Sequence, residues 1–251
     1  MNDLLSILAG FMPISLDEMN HVELLDRVDT KFVINEEQLL EYLAAIDTHY
    51  KLLVISGKSV HPYETLYFDT ADFQLYHMHH NGKLNRFKLR CRKYTDSGAA
   101  FFEIKSKTNT HRTVKRRIPV ASIPEILDEP LNEYIRANTP GEFKNYVPSL
   151  RVYFDRLTLV SNQANERLTF DTNLRYLCHG EEKQIRKMVI VEIKQEKHSV
   201  SPFGQLMKLN RQHKNYISKY CMGVACLNKS LKANHFKQKI NALNKLGYDI
   251  H

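Results

Sequence analysis

The chain has 251 residues and a mass of 29.4 kDa, with 43% hydrophobic and 25% charged residues. That supplies enough apolar side chain for one sizeable core and excludes global disorder. No run approaches the ~18 consecutive apolar residues of a membrane-spanning helix, and the opening Met1-Asn2-Asp3-Leu4-Leu5 lacks the basic start of a secretory signal. Four cysteines (Cys91, Cys178, Cys221, Cys226) without a C-x-x-C spacing fit reduced thiols, and hence a cytoplasmic chain, better than a disulfide framework.

The net charge is +8, and its placement is informative. From Lys83 to Arg117 the chain carries twelve Lys and Arg residues against only Asp96 and Glu103. That local excess of ten is larger than the excess of the whole chain. So concentrated a positive charge implies a polyanionic partner.

In chain order, Ser15-Leu16-Asp17-Glu18 reads as a capping box that starts a helix. A short strand is expected at 29–34. A second helix opens at Asn35, with Gln38 three residues on and Leu39, Leu40, Leu43 and Ala44 at helical spacing. Seven further strands are predicted near 64–70, 85–94, 100–108, 113–120, 150–161, 166–178 and 187–196. Gly82, Asp96-Ser97-Gly98 and His179-Gly180 stand at turns between them. Helical stretches are expected near 71–80 and 122–138. The tail is predicted as two helices near 202–211 and 228–246, the second closed by Gly247.

These strands carry charge on one face and apolar residues on the other. Side chains alternate across a strand, so every second residue shares a face. Arg86, Lys88, Arg90 and Arg92 lie opposite Phe87, Leu89 and Cys91. Glu103, Lys105 and Lys107 lie opposite Phe102 and Ile104. Glu192, Lys194 and Glu196 lie opposite Val191 and Ile193, and Arg167, Thr169 and Asp171 lie opposite Leu168 and Phe170. A single such strand is an ordinary half-solvated strand. Repeated over several, with helices needing the apolar face, the pattern predicts charged faces turned inward in a closed antiparallel eight-stranded β-barrel with helices outside. The fold class expected is α+β, with one domain over 1–251, a core at about 27–223 and a C-terminal helix at about 228–246.

The motifs resemble those of the VTC domain, the polyphosphate polymerase domain of the vacuolar transporter chaperone family, within the CYTH-like triphosphate tunnel metalloenzymes. Arg27-Val28-Asp29-Thr30-Lys31-Phe32 resembles the family's R-x-E-x-K-Y strand, and Tyr67-Phe68-Asp69-Thr70 its second strand. Arg90-Cys91-Arg92-Lys93-Tyr94 resembles the R-x-R-W-Y strand. Glu103-Ile104-Lys105 resembles E-x-K, Tyr153-Phe154-Asp155-Arg156 the Y-x-R region, and Arg167-Leu168-Thr169-Phe170-Asp171 R-x-T-x-D. Glu192-Ile193-Lys194 is similar to the late E-x-K strand, and Ser218-Lys219-Tyr220 to S-K-[FY]. Asp29, Lys93 and Phe154 depart from the family's Glu, Trp and Tyr. Tyr216 stands where the eukaryotic form has a Lys. The resemblance spans about Arg27 to Gly223, without the regulatory N-terminal domain and membrane-spanning tail of the eukaryotic members.

The resemblance implies a triphosphate tunnel that binds a nucleoside triphosphate. The γ-phosphate would pass to phosphate or to a growing polyphosphate chain. Arg90, Arg92, Arg156, Arg167 and Lys219 are implied as catalytic residues, the arginines as bidentate phosphate forks. Lys31, Lys88, Lys105, Lys107, Lys115, Lys194 and Ser218 are implied as phosphate-binding. A divalent metal, Mn²⁺ or Mg²⁺, is expected on Glu192, with Glu103 and Glu196 as further candidates. Hard cations prefer such oxygens. The alternative for these acids is pairing with neighbouring lysines. Water as acceptor would make the same site a triphosphatase, and a non-catalytic polyphosphate- or nucleotide-binding module is the remaining alternative. No nucleic acid is expected as partner, because bases and aromatics fall on opposite strand faces and single-strand binders need both together. His77-Met78-His79-His80 is a poor metal motif, since adjacent helical residues diverge. Neither G-x-x-x-x-G-K-[ST] nor G-x-G-x-x-G occurs.

Overall fold

A computed structural model describes residues 2–20, 27–110, 112–140, 143–197 and 199–248. In chain order the elements are α1 (Asn2–Leu8), β1 (Met12–Ile14), α2 (Leu16–Asn20), β2 (Arg27–Asn35), α3 (Glu36–Ala44), β3 (Tyr50–Leu53), β4 (Val60–Asp69), α4 (Gln74–His80), β5 (Arg86–Tyr94), β6 (Ala100–Lys107), β7 (Thr113–Val120), α5 (Glu129–Asn138), β8 (Val147–Ser161), β9 (Glu166–Cys178), β10 (Glu181–Ile185), β11 (Met188–Glu196), α6 (Pro202–Leu209), α7 (Lys219–Leu227) and α8 (Asn234–Lys245). This is the α+β class read from the sequence. Among the described residues no helix is long and apolar enough to cross a membrane.

The strands pair in the order β2-β11-β9-β8-β4-β5-β6-β7. β10 adds to β9, and β3 joins β8 to β1. The registers of β11 with β2 and β9, and of β5 with β4 and β6, are antiparallel. The β1–β3 pair is parallel. The expected closed eight-stranded barrel is corrected here. The sheet has eleven strands in an open path, and among the described residues β2 and β7 pair with no common neighbour. β7 has the chemistry of an edge. It places Lys115, Arg116, Arg117 and Pro119 in one eight-residue strand, and charge and proline both discourage a further strand.

Contacts gather the chain into two compact units. The first comprises Met1–His61, Asp155–Asn173 and Arg186–Ile217, and the second Pro62–Phe154, Leu174–Ile185 and Ser218–His251. In the first, the apolar residues of β2, β9 and β11 (Phe32, Ile34, Leu168, Phe170, Val191, Ile193) pack against Leu39, Tyr42 and Leu43 of α3 and Phe203 and Met207 of α6. In the second, Phe87, Leu89 and Cys91 of β5 and Phe102 and Ile104 of β6 pack with Leu75 and Met78 of α4 and Leu131 and Ile135 of α5. In each unit, then, helices cover the apolar strand faces and leave the charged faces opposite them, as alternation predicts.

The two capping boxes form. Glu18 N donates to Ser15 Oγ at 3.2 Å while the Glu18 carboxylate accepts from Ser15 N at 2.8 Å. The reciprocal Asn35–Gln38 bonds are 2.7 and 3.0 Å. α1, β1, β3, β10 and α7 were not expected. α7 is the instructive case. Tyr220, Cys221, Met222, Gly223, Val224 and Cys226 are all buried, so no polar face marks a helical period. All four cysteines are buried.

Gly223 explains how α7 fits. A Cβ there would lie 2.5 Å from Tyr176 Cδ1 and 2.7 Å from Leu150 Cδ2. Gly223→Ala should therefore destabilise the protein by about 1–3 kcal/mol through overpacking, despite alanine's better helix propensity. A urea unfolding midpoint at or above that of the wild type would show that the α7 seat is looser than this.

Candidate functional site

The charged face of β5 is the densest part of the second unit. Register sets Arg86 opposite Lys107, Lys88 opposite Lys105, and Arg90 opposite Glu103. Across the β6–β7 pair, Lys105 faces Lys115 and Glu103 faces Arg117. Like charges this close repel unless a counter-charge intervenes. Glu103 is the counter-charge. It is 1% exposed, accepts from Arg90 Nε at 2.7 Å and Arg90 Nη2 at 2.6 Å, and pairs with Lys115 through its other oxygen. Burial alone would raise its pKa, but Arg90, Arg92 and Lys115 outweigh that and hold it at about 2. Burial works likewise against charged Arg90, and Glu103 and Tyr67 outweigh it, so the guanidinium is held charged more firmly than usual.

β4 completes this face. Tyr67 stands opposite Arg90 and Thr65 opposite Arg92. Tyr67 OH accepts from Arg90 Nη1 at 3.4 Å, and Thr65 Oγ1 accepts from Arg92 Nε at 3.3 Å. Burial pushes the Tyr67 phenol up, and Arg90, Arg92 and Lys88 together bring it below its ordinary value. Arg92 lies 5.5 Å from the Tyr63 ring centroid and 5.8 Å from that of Phe154, and Lys219 lies 4.5 Å over Phe154. Tyr63 and Phe154 stack at 5.1 Å. The expectation that aromatics keep to the opposite face is therefore corrected: Tyr63, Tyr67 and Phe154 sit among the cations. Tyr67 and Phe154 are buried, at 5% and 3% exposure, so they pack against cations and other rings and are not open stacking platforms.

α7 enters this cluster at its N-terminus. Ser218 caps the helix by accepting from Cys221 N at 3.3 Å, and the same Oγ accepts from Lys88 Nζ at 3.0 Å. Burial lowers the Lys88 pKa. The helix is held by Tyr220, whose hydroxyl donates to buried Asp69. Asp69 also accepts from Leu75 N and Tyr76 N at 2.8 and 2.9 Å, tying the start of α4 to α7.

The first unit carries a second cluster. Register places Lys31 opposite Glu192 and Asp29 opposite Lys194 on β2 and β11. Glu192 Oε1 accepts from Lys31, and Glu192 Oε2 lies 3.0 Å from Lys194 Nζ. Burial would raise the Glu192 pKa, but Lys194 and Lys31 hold it well below the usual range. Burial also pulls Lys194 down to about 8, against the raising effect of Glu192. Arg156 makes a two-pronged contact with Asp171, Nε to Oδ1 at 2.6 Å and Nη2 to Oδ2 at 2.8 Å. Arg167 is in register with Lys194 and donates to Met19 O at 3.1 Å.

The predicted residues thus fall into two groups. Lys88, Arg90, Arg92, Glu103, Lys105, Lys107, Lys115, Ser218 and Lys219 belong to the second unit. Lys31, Arg156, Arg167, Glu192 and Lys194 belong to the first. Glu196 stands apart: it is exposed, accepts from Asn165 Nδ2 at 2.6 Å, and lies four residues, or about 13 Å, along the strand from Glu192. Tyr63, Thr65, Tyr67, Phe154 and Asp171 were not singled out as site residues. The recurrence of Tyr63, Thr65 and Tyr67 at strand spacing was the available signal. His79 accepts from Arg86 Nε at 3.1 Å, and the ring of His80 stacks on His235 at 4.5 Å. Among the described residues no group of three His, Cys, Asp or Glu side chains could hold a metal. Glu192 offers one hard carboxylate, which suits Mg²⁺ or Mn²⁺ only where phosphate oxygens and water supply the remaining ligands.

The family model described as the VTC domain matches residues 26–228. Among solved structures, an adenylate cyclase candidate from Bacillus halodurans aligns at 14% identity over 77% of this chain and 94% of its own, with a TM-score of 0.50. A conserved hypothetical protein from Pyrococcus furiosus aligns at 13% over 79% and 99%, with a TM-score of 0.45. A Hippeastrum adenylyl cyclase candidate, described as revealing a dominant triphosphatase activity, aligns at 14% over 79% and 95%, with a TM-score of 0.43. The likeness to the Bacillus protein is one of fold. No curated protein matches.

Glu103 gives this site a testable pH signature. Its pKa is depressed from 4.5 to about 2, so its pairing stabilises the fold above pH 4.5 and is lost as pH falls towards 2. Glu103→Gln should be less stable at neutral pH and should show a shallower loss of stability between those two values. Parallel stability-against-pH curves for mutant and wild type would mean that Glu103 is not the group titrating there.

Proposed function

The chain belongs to the VTC-domain family, and from that premise we propose that it is a metal-dependent phosphotransferase of the polyphosphate polymerase type. The observation that carries the reading is the charged face of β5. Four cations there alternate with three core residues, and one fully buried carboxylate holds Arg90 oriented. Such an array suits a chain of phosphates, which needs charge neutralisation and positioning more than a protein nucleophile.

The substrate is a nucleoside triphosphate. An oxygen of orthophosphate or of a polyphosphate end attacks the γ-phosphorus. The bond from that phosphorus to the β–γ bridging oxygen breaks, and the nucleoside diphosphate leaves with the electron pair. Arg90 and Arg92 bind phosphate oxygens as planar forks, and Lys88, Lys105, Lys107, Lys115 and Lys219 add point charges. Ser218 fixes Lys88. The first unit, taken by itself, offers cations of the same two kinds, the forks Arg156 and Arg167 and the point charges Lys31 and Lys194, as phosphate-binding candidates. Enzymes of this fold generally use a divalent cation, which would neutralise phosphate charge and polarise the transferred group. Glu192 is the residue that would hold it. Glu103, paired with Arg90 and Lys115, serves as a charge bridge. A cytoplasmic location goes with this reading, because nucleoside triphosphates are the donors.

Incubation of the purified protein with ATP and Mn²⁺ tests this, with a gel for long polyphosphate and an assay for free phosphate. Polyphosphate ladders are expected. Free phosphate alone would assign a triphosphatase, and neither product would leave a binding module. Glu192→Gln should retain tripolyphosphate binding and lose at least about tenfold in metal-dependent turnover. Wild-type turnover across a Mn²⁺ titration would return Glu192 to simple pairing with Lys31 and Lys194.

A further inference from the structure

The opposite face of β2 and β11 bears a groove of about 760 Å³ that the charged clusters do not use. It lies wholly within the first unit. Lys31, Glu192 and Lys194 point to one side of these strands, and Val28, Phe32 and Ile193, by alternation, form the groove floor on the other. One wall is a single face of α6, where Ser201, Gly204, Gln205 and Lys208 recur at helical spacing. Gly204 faces Ile193 across the groove edge, and a Cβ there would meet Ile193 Cδ1 at 3.8 Å, an ordinary contact distance. The other wall is the segment after α6, which is fixed to β2 where Asn215 N donates to Lys31 O at 2.7 Å.

The chemistry of the groove is two-sided. Its floor is largely apolar, with Thr30 and Gln195 beside Val28, Phe32 and Ile193. Its rim carries Lys197, Lys208, Arg211 and Lys214 against a single acid, Glu196. A bare phosphate chain would leave the floor unsolvated without return, and a neutral apolar molecule would desolvate four cations without return. A molecule with an apolar body and an anionic end satisfies both. The volume falls within the range of roughly 300–1,000 Å³ typical of small-molecule sites. We infer that this groove binds a small amphiphilic anion, an alkyl or aryl carboxylate or phosphate, with its apolar part over Val28, Phe32 and Ile193 and its anionic group among Lys208, Arg211 and Lys214.

The test uses the full chain and four probes in titration calorimetry or by protein-observed NMR. Decanoate, below its micellar concentration, supplies body and charge together. Octyl glucoside supplies the body alone, and tripolyphosphate the charge alone. Phosphatidylglycerol vesicles represent an anionic bilayer. Decanoate should bind saturably at one site, octyl glucoside should not compete with it, and tripolyphosphate should not displace it. The double variant Lys208→Glu/Lys214→Glu should weaken decanoate by at least about tenfold, the loss expected when charge-assisted contacts are removed. Val28→Trp, which fills the floor from an exposed strand position, should block it. Both variants should keep tripolyphosphate affinity and turnover, so this inference and the proposed phosphotransfer fail separately. Decanoate binding unchanged in both variants, or undetectable in the wild type, would overturn the assignment. So would vesicle binding that the double variant abolishes while decanoate binding persists, which would make the rim a lipid-surface contact.

Discussion

Two carboxylates, Glu103 fully buried and Glu192 half-buried, make the crowding of cations possible. Glu103 and Glu192 each take two positive partners, Arg90 with Lys115 and Lys31 with Lys194. Each sits in the same tripeptide, Glu-Ile-Lys, and in each the isoleucine is anchored in a core, Ile104 at 1% and Ile193 at 2% exposure. The anchored isoleucine fixes which way its neighbours point. Removing either carboxylate would leave charges partly withdrawn from water and without a counter-ion, the costly outcome for a buried pair. The uses of the lysine differ. Lys194 folds back on the Glu192 of its own strand, whereas Glu103 draws its lysine from β7.

The polar supports around the second-unit cluster are built from groups with little freedom. Ser218 is both helix cap and lysine partner, so the orientation of Lys88 is tied to the start of α7. Asp69 accepts from the backbone at the start of α4 and from Tyr220 on α7. Tyr67, two residues earlier on the same strand face, stacks on Tyr220 at 4.9 Å and accepts from Arg90. Arg90 is thereby oriented by a chain of contacts that ends in the packing of two helices. Such preorganisation reduces what must be ordered when an anion arrives.

Much of this was legible because strand alternation is a strong local signal. Arg86, Lys88, Arg90 and Arg92 share a face for geometric reasons that need no tertiary knowledge. The eight predicted strands all exist, with ends displaced by a few residues. Closure was not legible. It depends on whether β7 and β2 meet, and the edge character of β7 lies in Lys115, Arg116, Arg117 and Pro119, residues that also suit a charged inner face. Register was the other missing quantity. That Glu103 meets Arg90 follows from the β5–β6 turn, but that its second partner is Lys115 rather than Lys105 depends on side-chain reach across β7. The aromatic residues on the cation face were overlooked because β5 and β6 do separate the two types, while β4 and β8 mix them. α7 was missed because a helix buried on every side shows no amphipathic period.

The order in which the chain visits its two units has a consequence for biosynthesis. The first unit is assembled from Met1–His61, Asp155–Asn173 and Arg186–Ile217, so β2, near the start, waits for β11, about 160 residues later, before it has a hydrogen-bonded neighbour. During translation the N-terminal segment must emerge with an unpaired strand while the contiguous stretch Pro62–Phe154 can already condense around β4, β5 and β6. Long-range pairing of this kind is slow and leaves apolar strand surface exposed in the interval. The nascent chain is therefore most vulnerable to aggregation and to chaperone capture before Met188–Glu196 has left the ribosome, and a truncation anywhere upstream of it would strand β2 permanently.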